Sequence, residues 1–185
     1  HDALTGLPNR VLFEDRLQQA IARAERKGVT LAVLFLDMDN FKHINDSLGH
    51  QVGDSFLKVI AGRLQEACRD EDTVARLGGD EFVILLTEYS ERINVVEVTR
   101  RLLEILGAPL TLENHNMNPA ASIGITVFPE DGKDAQGLMK NADLAMYKAK
   151  AMGKGTYSLF NQDMNDQVKK RMELESRLLN SLLNE

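Results

Sequence analysis

"ARLGGDEFVIL", residues Ala75 to Leu85, sets two glycines and two acids between apolar runs. Paired glycines supply the positive φ angles that tight primed turns need, so the stretch predicts a β-hairpin with arms Thr73–Leu77 and Phe82–Leu86. The turn accounts for Gly78 and Gly79. It does not account for Asp80 and Glu81, which stand where the chain re-enters a buried strand.

Outward from the hairpin, "TLAVLFLDMD" is a short apolar run rich in branched residues, and Leu31–Leu36 reads as a central strand buried on both faces. Val11–Lys27, Ser55–Ala67, Arg92–Leu106 and Asp134–Met152 carry apolar residues at helical spacing, and a short helix is expected to begin near Asn40. "ASIGITVF" (Ala121–Phe128) reads as another strand, stopped by Pro129 and "EDG", and "GTYSLF" as a final edge strand. Helices alternate with strands around one hairpin, so the expected class is α+β: a mixed central sheet flanked by helices. From Asn161 the composition turns polar and helix-prone, with Leu174, Leu178, Leu182 and Leu183 at helical spacing. That segment reads as a connecting helix leaving the domain, outside its core.

The totals narrow the functions. A chain of 185 residues, 43% hydrophobic and 27% charged, suits one soluble domain with a full core. A net charge of −6 and a pI near 5.3 argue against a nucleic-acid binder, which shows a basic face. An anionic ligand would need a local cluster of lysines or a bound cation. The single cysteine, Cys68, excludes an internal disulfide. No apolar run approaches the roughly 20 residues of a membrane helix. Opening at His1 rather than Met, the sequence reads as a fragment of a longer protein.

Asp37 and Asp39 end the buried strand, and strand residues two apart point the same way. Acids at a strand end are commonly solvated or cap the next helix. Here the second acidic pair sits on a hairpin whose tip can lie beside that strand end, and acids on adjacent strands repel unless a cation lies between them. Hard oxygen ligands at an open site suit Mg²⁺, and metals that clamp attacking and leaving oxygens serve phosphoryl and nucleotidyl transfer. Lys42 follows the acidic strand end, and Lys148, Lys150 and Lys154 close the last long helix. Lys148 fits a simple complement to the helix dipole, whereas Lys150 and Lys154 are spaced to reach one anion together.

Five blocks in order, "DALTGLPNR" (Asp2–Arg10), "LDMDNFKHINDSLGHQVGD" (Leu36–Asp54), "GGDEF" (Gly78–Phe82), "ASIGITVFPEDG" (Ala121–Gly132) and "ADLAMYKAKAMGKG" (Ala142–Gly155), resemble the GGDEF domains of bacterial diguanylate cyclases. The resemblance covers nearly everything to about Phe160. It implies a ferredoxin-like sheet, similar to adenylyl cyclases and polymerase palms, and condensation of two GTP into cyclic di-GMP with release of two pyrophosphates. It implies Mg²⁺ (or Mn²⁺) held by Asp37, the Met38 carbonyl and Asp80, with Asp80 also helping to deprotonate the attacking 3′-hydroxyl and Glu81 completing the acidic pair. Gly78 and Gly79 then let the backbone approach the nucleotide. Asn45 and Asp54 match guanine-reading positions; Lys42, Lys150 and Lys154 match phosphate-contacting ones, the last often Arg in the family. Arg76 either faces the phosphates or is an ordinary strand residue. Arg69 and Asp72 form R-x-x-D, which in the family marks an inhibitory site for cyclic di-GMP and is otherwise a plain polar loop.

The resemblance further implies a homodimer for catalysis and a cytoplasmic domain at residues 1–160. Residues 161–185 then lead toward a covalently linked EAL phosphodiesterase domain, with sensory segments and any membrane anchor upstream of residue 1. A non-catalytic GTP-binding module that regulates such an EAL domain is the alternative, and a pure cyclic di-GMP receptor a third reading.

Overall fold

The computed structural model describes residues 1–89 and 92–183, with side chains at all of these except 92–93, 168–169, 175–176 and 178–183. Helix α1 (Arg10–Lys27) starts where Asn9 accepts a hydrogen bond from the Leu12 amide and stops at Gly28, which is left-handed at φ 66°. Strand β1 (Thr30–Met38) is buried from its second residue on and carries Asp37 within the strand. A left-handed Asn40 turns the chain into α2 (Phe41–Leu48). Helix α3 (His50–Ala67) begins a full turn before the expected Ser55. Gly53 lies inside that helix, where a β-carbon would strike Asn45 Oδ1 on α2.

The hairpin forms as expected from β2 (Thr73–Gly78) and β3 (Glu81–Tyr89), followed by α4 (Arg92–Gly107). A small hairpin, β4 (Leu110–Leu112) with β5 (His115–Met117), escaped the sequence reading. Its strands are three residues each, too short to alternate visibly; the available signal was Asn114, at φ 67° in the turn. Then come β6 (Ala121–Phe128), α5 (Ala135–Ala151, capped by Asp134), β7 (Tyr157–Leu159) and α6 (Gln162–Leu183).

The main sheet runs β2-β3-β1-β6-β7; the first three pairings are antiparallel and β6–β7 is parallel. Within it, β1, α3, β2, β3, α4 and β6 follow the β-α-β-β-α-β order of the ferredoxin-like fold. Alternation along β1 divides the core. Ala32, Leu34, Leu36 and Met38 pack with α3 and α4 on one face, and Leu31, Val33 and Phe35 with α1 and α5 on the other. Gly124 of β6 is required by close approach: a β-carbon would collide with backbone atoms of Ala142 and Met146, so α5 lies directly on the sheet.

The start of α6 departs from expectation. Met164 is 5% exposed and packs with Phe160 and Ala145, so the first turn belongs to the core. Farther along, Met172 and Leu174 are exposed, and the Leu178, Leu182 and Leu183 side chains lie outside the described residues. Among the described residues no helix is long and apolar enough to cross a membrane.

Candidate active site

Antiparallel pairing of β1 with β3 sets Asp37 opposite Glu81, and the Met38 amide donates to the Asp80 carbonyl at 3.2 Å. The turn therefore delivers Asp80 beside the end of β1. Burial first, and then the nearby Asp37 carboxylate, push the Asp80 carboxyl up to about 6. Glu81 is raised as well, by burial and by Asp143 and Asp37. Lys150 answers this concentration of charge from α5, its Nζ 2.7 Å from Asp37 Oδ1. Burial works against its ammonium, but the Asp37 hydrogen bond and the charges of Asp37 and Asp80 outweigh that and raise its pKa.

Asp39 adds its charge to the site by helping to raise Lys150, but its carboxylate oxygens are engaged elsewhere. Its Oδ1 accepts from the Ser122 hydroxyl and its Oδ2 from the Gly155 amide, both at 2.8 Å. The strand ends at Met38, so the two-residue alternation no longer governs position 39. Asp143, passed over in the sequence, joins the site from α5, where burial and Asp37 raise its pKa.

A cleft of about 520 Å³ opens over these groups, lined among others by Asp37, Met38, Lys42, Asp80, Lys150 and Lys154. Asn40, unread in the sequence, fixes Lys154 across the cleft by accepting from its Nζ at 3.0 Å. Gly78 (φ 141°) and Gly79 (φ 50°) take angles that disfavour side chains, with open space where a β-carbon would point. Helix α2 connects the cleft to a second feature. Its first turn carries Lys42, and farther along Asn45 lies against Gly53, next to the exposed Asp54. Asn45 Oδ1 is buried without a hydrogen-bond partner. Such an orphaned acceptor costs about 1–3 kcal/mol.

Among the described residues no three His, Cys, Asp or Glu side chains converge on one metal position. Two carboxylates beside a strand-end carbonyl still fit Mg²⁺, which keeps several waters and takes phosphate oxygens as ligands. The like-charge strain that lifts Asp80 is what a cation would relieve.

The family profile "Diguanylate cyclase, GGDEF domain" matches residues 1–156. The chain belongs to the GGDEF family. This GGDEF domain is 44% identical over 174 residues to the bifunctional diguanylate cyclase/cyclic di-GMP phosphodiesterase MucR of Pseudomonas aeruginosa, covering 94% of the chain and 25% of MucR. It thus spans about a quarter of that relative's length. The GGDEF domain of TpbB from P. aeruginosa superposes with a TM-score of 0.89 at 39% identity, over 91% of this chain and 99% of that one. The GGDEF domain of DgcB from Caulobacter crescentus, in complex with c-di-GMP, gives 0.79 at 30% identity, over 85% and 94%.

In this GGDEF domain Arg69 and Asp72 lie on the loop before β2. Asp72 Oδ2 accepts from the Arg69 amide at 3.1 Å and Oδ1 from the Thr87 amide at 3.3 Å, so the carboxylate shapes the loop. The Arg69 guanidinium sits 5.4 Å above the Tyr89 ring. A separate cleft of about 520 Å³ there is lined by Arg69, Tyr89 and Arg101, with Asn94, Glu97 and Val98. Arg76 is not among the residues lining the Asp37–Asp80 cleft: its donors are taken by Gly79 and Asp2.

Proposed function

We propose that this chain condenses two GTP molecules into cyclic di-GMP, releasing two pyrophosphates, with one GTP held by each subunit of a homodimer. The observation that carries the reading is the Asp37–Asp80 pair with Lys150 beside it, facing a cleft lined by further lysines. Asp37, the Met38 carbonyl and Asp80 would hold Mg²⁺ (or Mn²⁺), which supplies positive charge to the triphosphate and to the attacking oxygen. Lys42, Lys150 and Lys154 bind phosphates, and the open Gly78–Gly79 backbone admits them closely. Asp80 accepts the proton of the 3′-hydroxyl. Glu81 adds negative charge beside it. The Asn45 amide and Asp54 carboxylate read the guanine edge, the orphaned Asn45 oxygen accepting one of its N–H groups. Catalysis here is positioning and charge neutralisation. Product binds at Arg69 and Asp72 and inhibits; the arginine over Tyr89 offers a planar surface and a fork of donors to a guanine base.

The test is incubation of the chain with GTP and Mg²⁺ over a range of protein concentrations, with cyclic di-GMP read by chromatography. Product rising more steeply than protein concentration supports the reading. A second reading has its own support, because MucR is bifunctional and this chain spans a quarter of it: a GTP-binding module regulating a linked EAL phosphodiesterase. GTP bound but unconverted, even in an artificially dimerised chain, favours that reading.

A further inference from the structure

The turn that presents Asp80 is not held by its own ladder. Pairing of β2 with β3 breaks between Arg76 and Gly78, and both Gly78 and Gly79 are left-handed, so two soft residues precede the acid. One side of Asp80 is fixed by its own carbonyl, which accepts the Met38 amide. The other side is fixed by Arg76. Its Nε and Nη2 both donate to the Gly79 carbonyl, at 3.0 and 2.7 Å, and that carbonyl belongs to the peptide leading into Asp80.

Arg76 is itself held from far along the chain. Its Nη1 bridges both Asp2 carboxylate oxygens at 2.9 and 3.1 Å, and the two side chains are only 11% and 18% exposed. Asp2 in turn accepts from the Thr5 amide and hydroxyl, and the Asp2 amide donates to Leu7, closing residues 2–7 into a tight loop. The Pro8 carbonyl accepts the Arg76 amide, tying this loop to the edge of β2.

We propose that Asp2 and Arg76 form a clamp that positions the catalytic turn, so that residues 2–8 are a working part of the active site although none of them lines the cleft. The proposal rests on the reading of Asp80 as a catalytic residue. It makes Arg76 a positioning residue that lysine cannot replace, because only a planar fork reaches Gly79 and Asp2 together. A displacement of the loop at residues 2–8 passes through one guanidinium to the peptide before Asp80.

The experiment compares wild type, Arg76→Lys, Asp2→Asn and the double variant by steady-state kinetics and by amide hydrogen exchange at residues 78–80. Misplacement of reacting groups by about 1 Å costs on the order of 100-fold in rate, so Arg76→Lys should lower kcat about 10- to 100-fold while KM for GTP stays within about 2-fold. Asp2→Asn should act in the same direction, and the double variant should be no worse than Arg76→Lys. Faster exchange at Gly79 and Asp80, with β1 amides unchanged, should accompany both single variants. A matching loss of GTP affinity in Arg76→Lys would make it a phosphate ligand and overturn the proposal. Unaltered exchange at the turn overturns it too, whether or not wild type turns over. A wild type that never makes cyclic di-GMP rejects the cyclase reading and with it the catalytic half of the proposal, while exchange at the turn responding as described still upholds Arg76 and Asp2 as what positions Asp80.

Discussion

Asp80 shows how one side chain registers its surroundings. Its carboxyl is pushed from an ordinary 3.8 up to about 6, so the folded chain holds that proton more tightly than the unfolded one. Ionising it therefore costs stability as pH rises from about 4 through about 6, and the cost is complete above that window. Asp80→Asn removes the cost. Discounted for its half-exposed position, the gain is about 1 kcal/mol at pH 7.5, or about 2–4 °C in Tm. Thermal melts in EDTA should show this stabilisation at pH 7.5 and its disappearance below pH 4, together with loss of turnover. Equal melting temperatures at pH 7.5 would mean that Lys150 already neutralises the site. The acids themselves were legible from the hairpin and the strand end. Asp39 was misjudged because strand alternation was carried one residue beyond the strand, and Asp143 stayed invisible because only packing of α5 on the sheet brings it to Glu81.

Helices α2 and α3 meet where Gly53 makes room for Asn45. A helical Gly→Ala substitution ordinarily stabilises by up to about 1 kcal/mol. Here the new methyl group must displace the Asn45 side chain. Gly53→Ala should therefore leave denaturant stability equal or slightly higher while weakening GTP binding at least about 10-fold, the scale of one lost buried hydrogen bond. Calorimetric titration with GTP checks this, and undiminished affinity would separate Asn45 from guanine recognition. The long elements were readable because their apolar periods are unambiguous over many residues. The β4–β5 hairpin and the first turns of α3 were not, since three-residue strands and a glycine inside a helix leave no periodic trace.

At the scale of the molecule, the boundary near residue 160 read from composition passes through a packed contact. Burial of Met164 against Phe160 and Ala145 contributes about 1.5–3 kcal/mol. A chain ending at Gln167 should keep the full-length melting temperature, and one ending at Phe160 should melt several degrees lower; indistinguishable melts would make that contact incidental. The proposed inhibition belongs to the same scale, because the Arg69 cleft stands apart from the Asp37–Asp80 cleft. Arg69→Ala should raise the cyclic di-GMP concentration that halves turnover by at least about tenfold, the scale of one charge-assisted hydrogen bond. An unshifted inhibition curve would reassign Arg69 to the loop alone.

The cleft is built from two kinds of backbone. Asp37 and Glu81 stand on the paired central strands, while Lys154 stands in a loop of three consecutive left-handed residues, Gly153 to Gly155, steadied by the Lys154 bond to Asn40 and the Gly155 amide bond to Asp39. Opening free energies follow that division: central strands unzip only with the whole domain, and exposed loops open for far less. The carboxylates thus endure in place for as long as the fold does, while Lys154, on a loop where Lys42 and Lys150 stand on helices, can swing out and back many times within one folded lifetime.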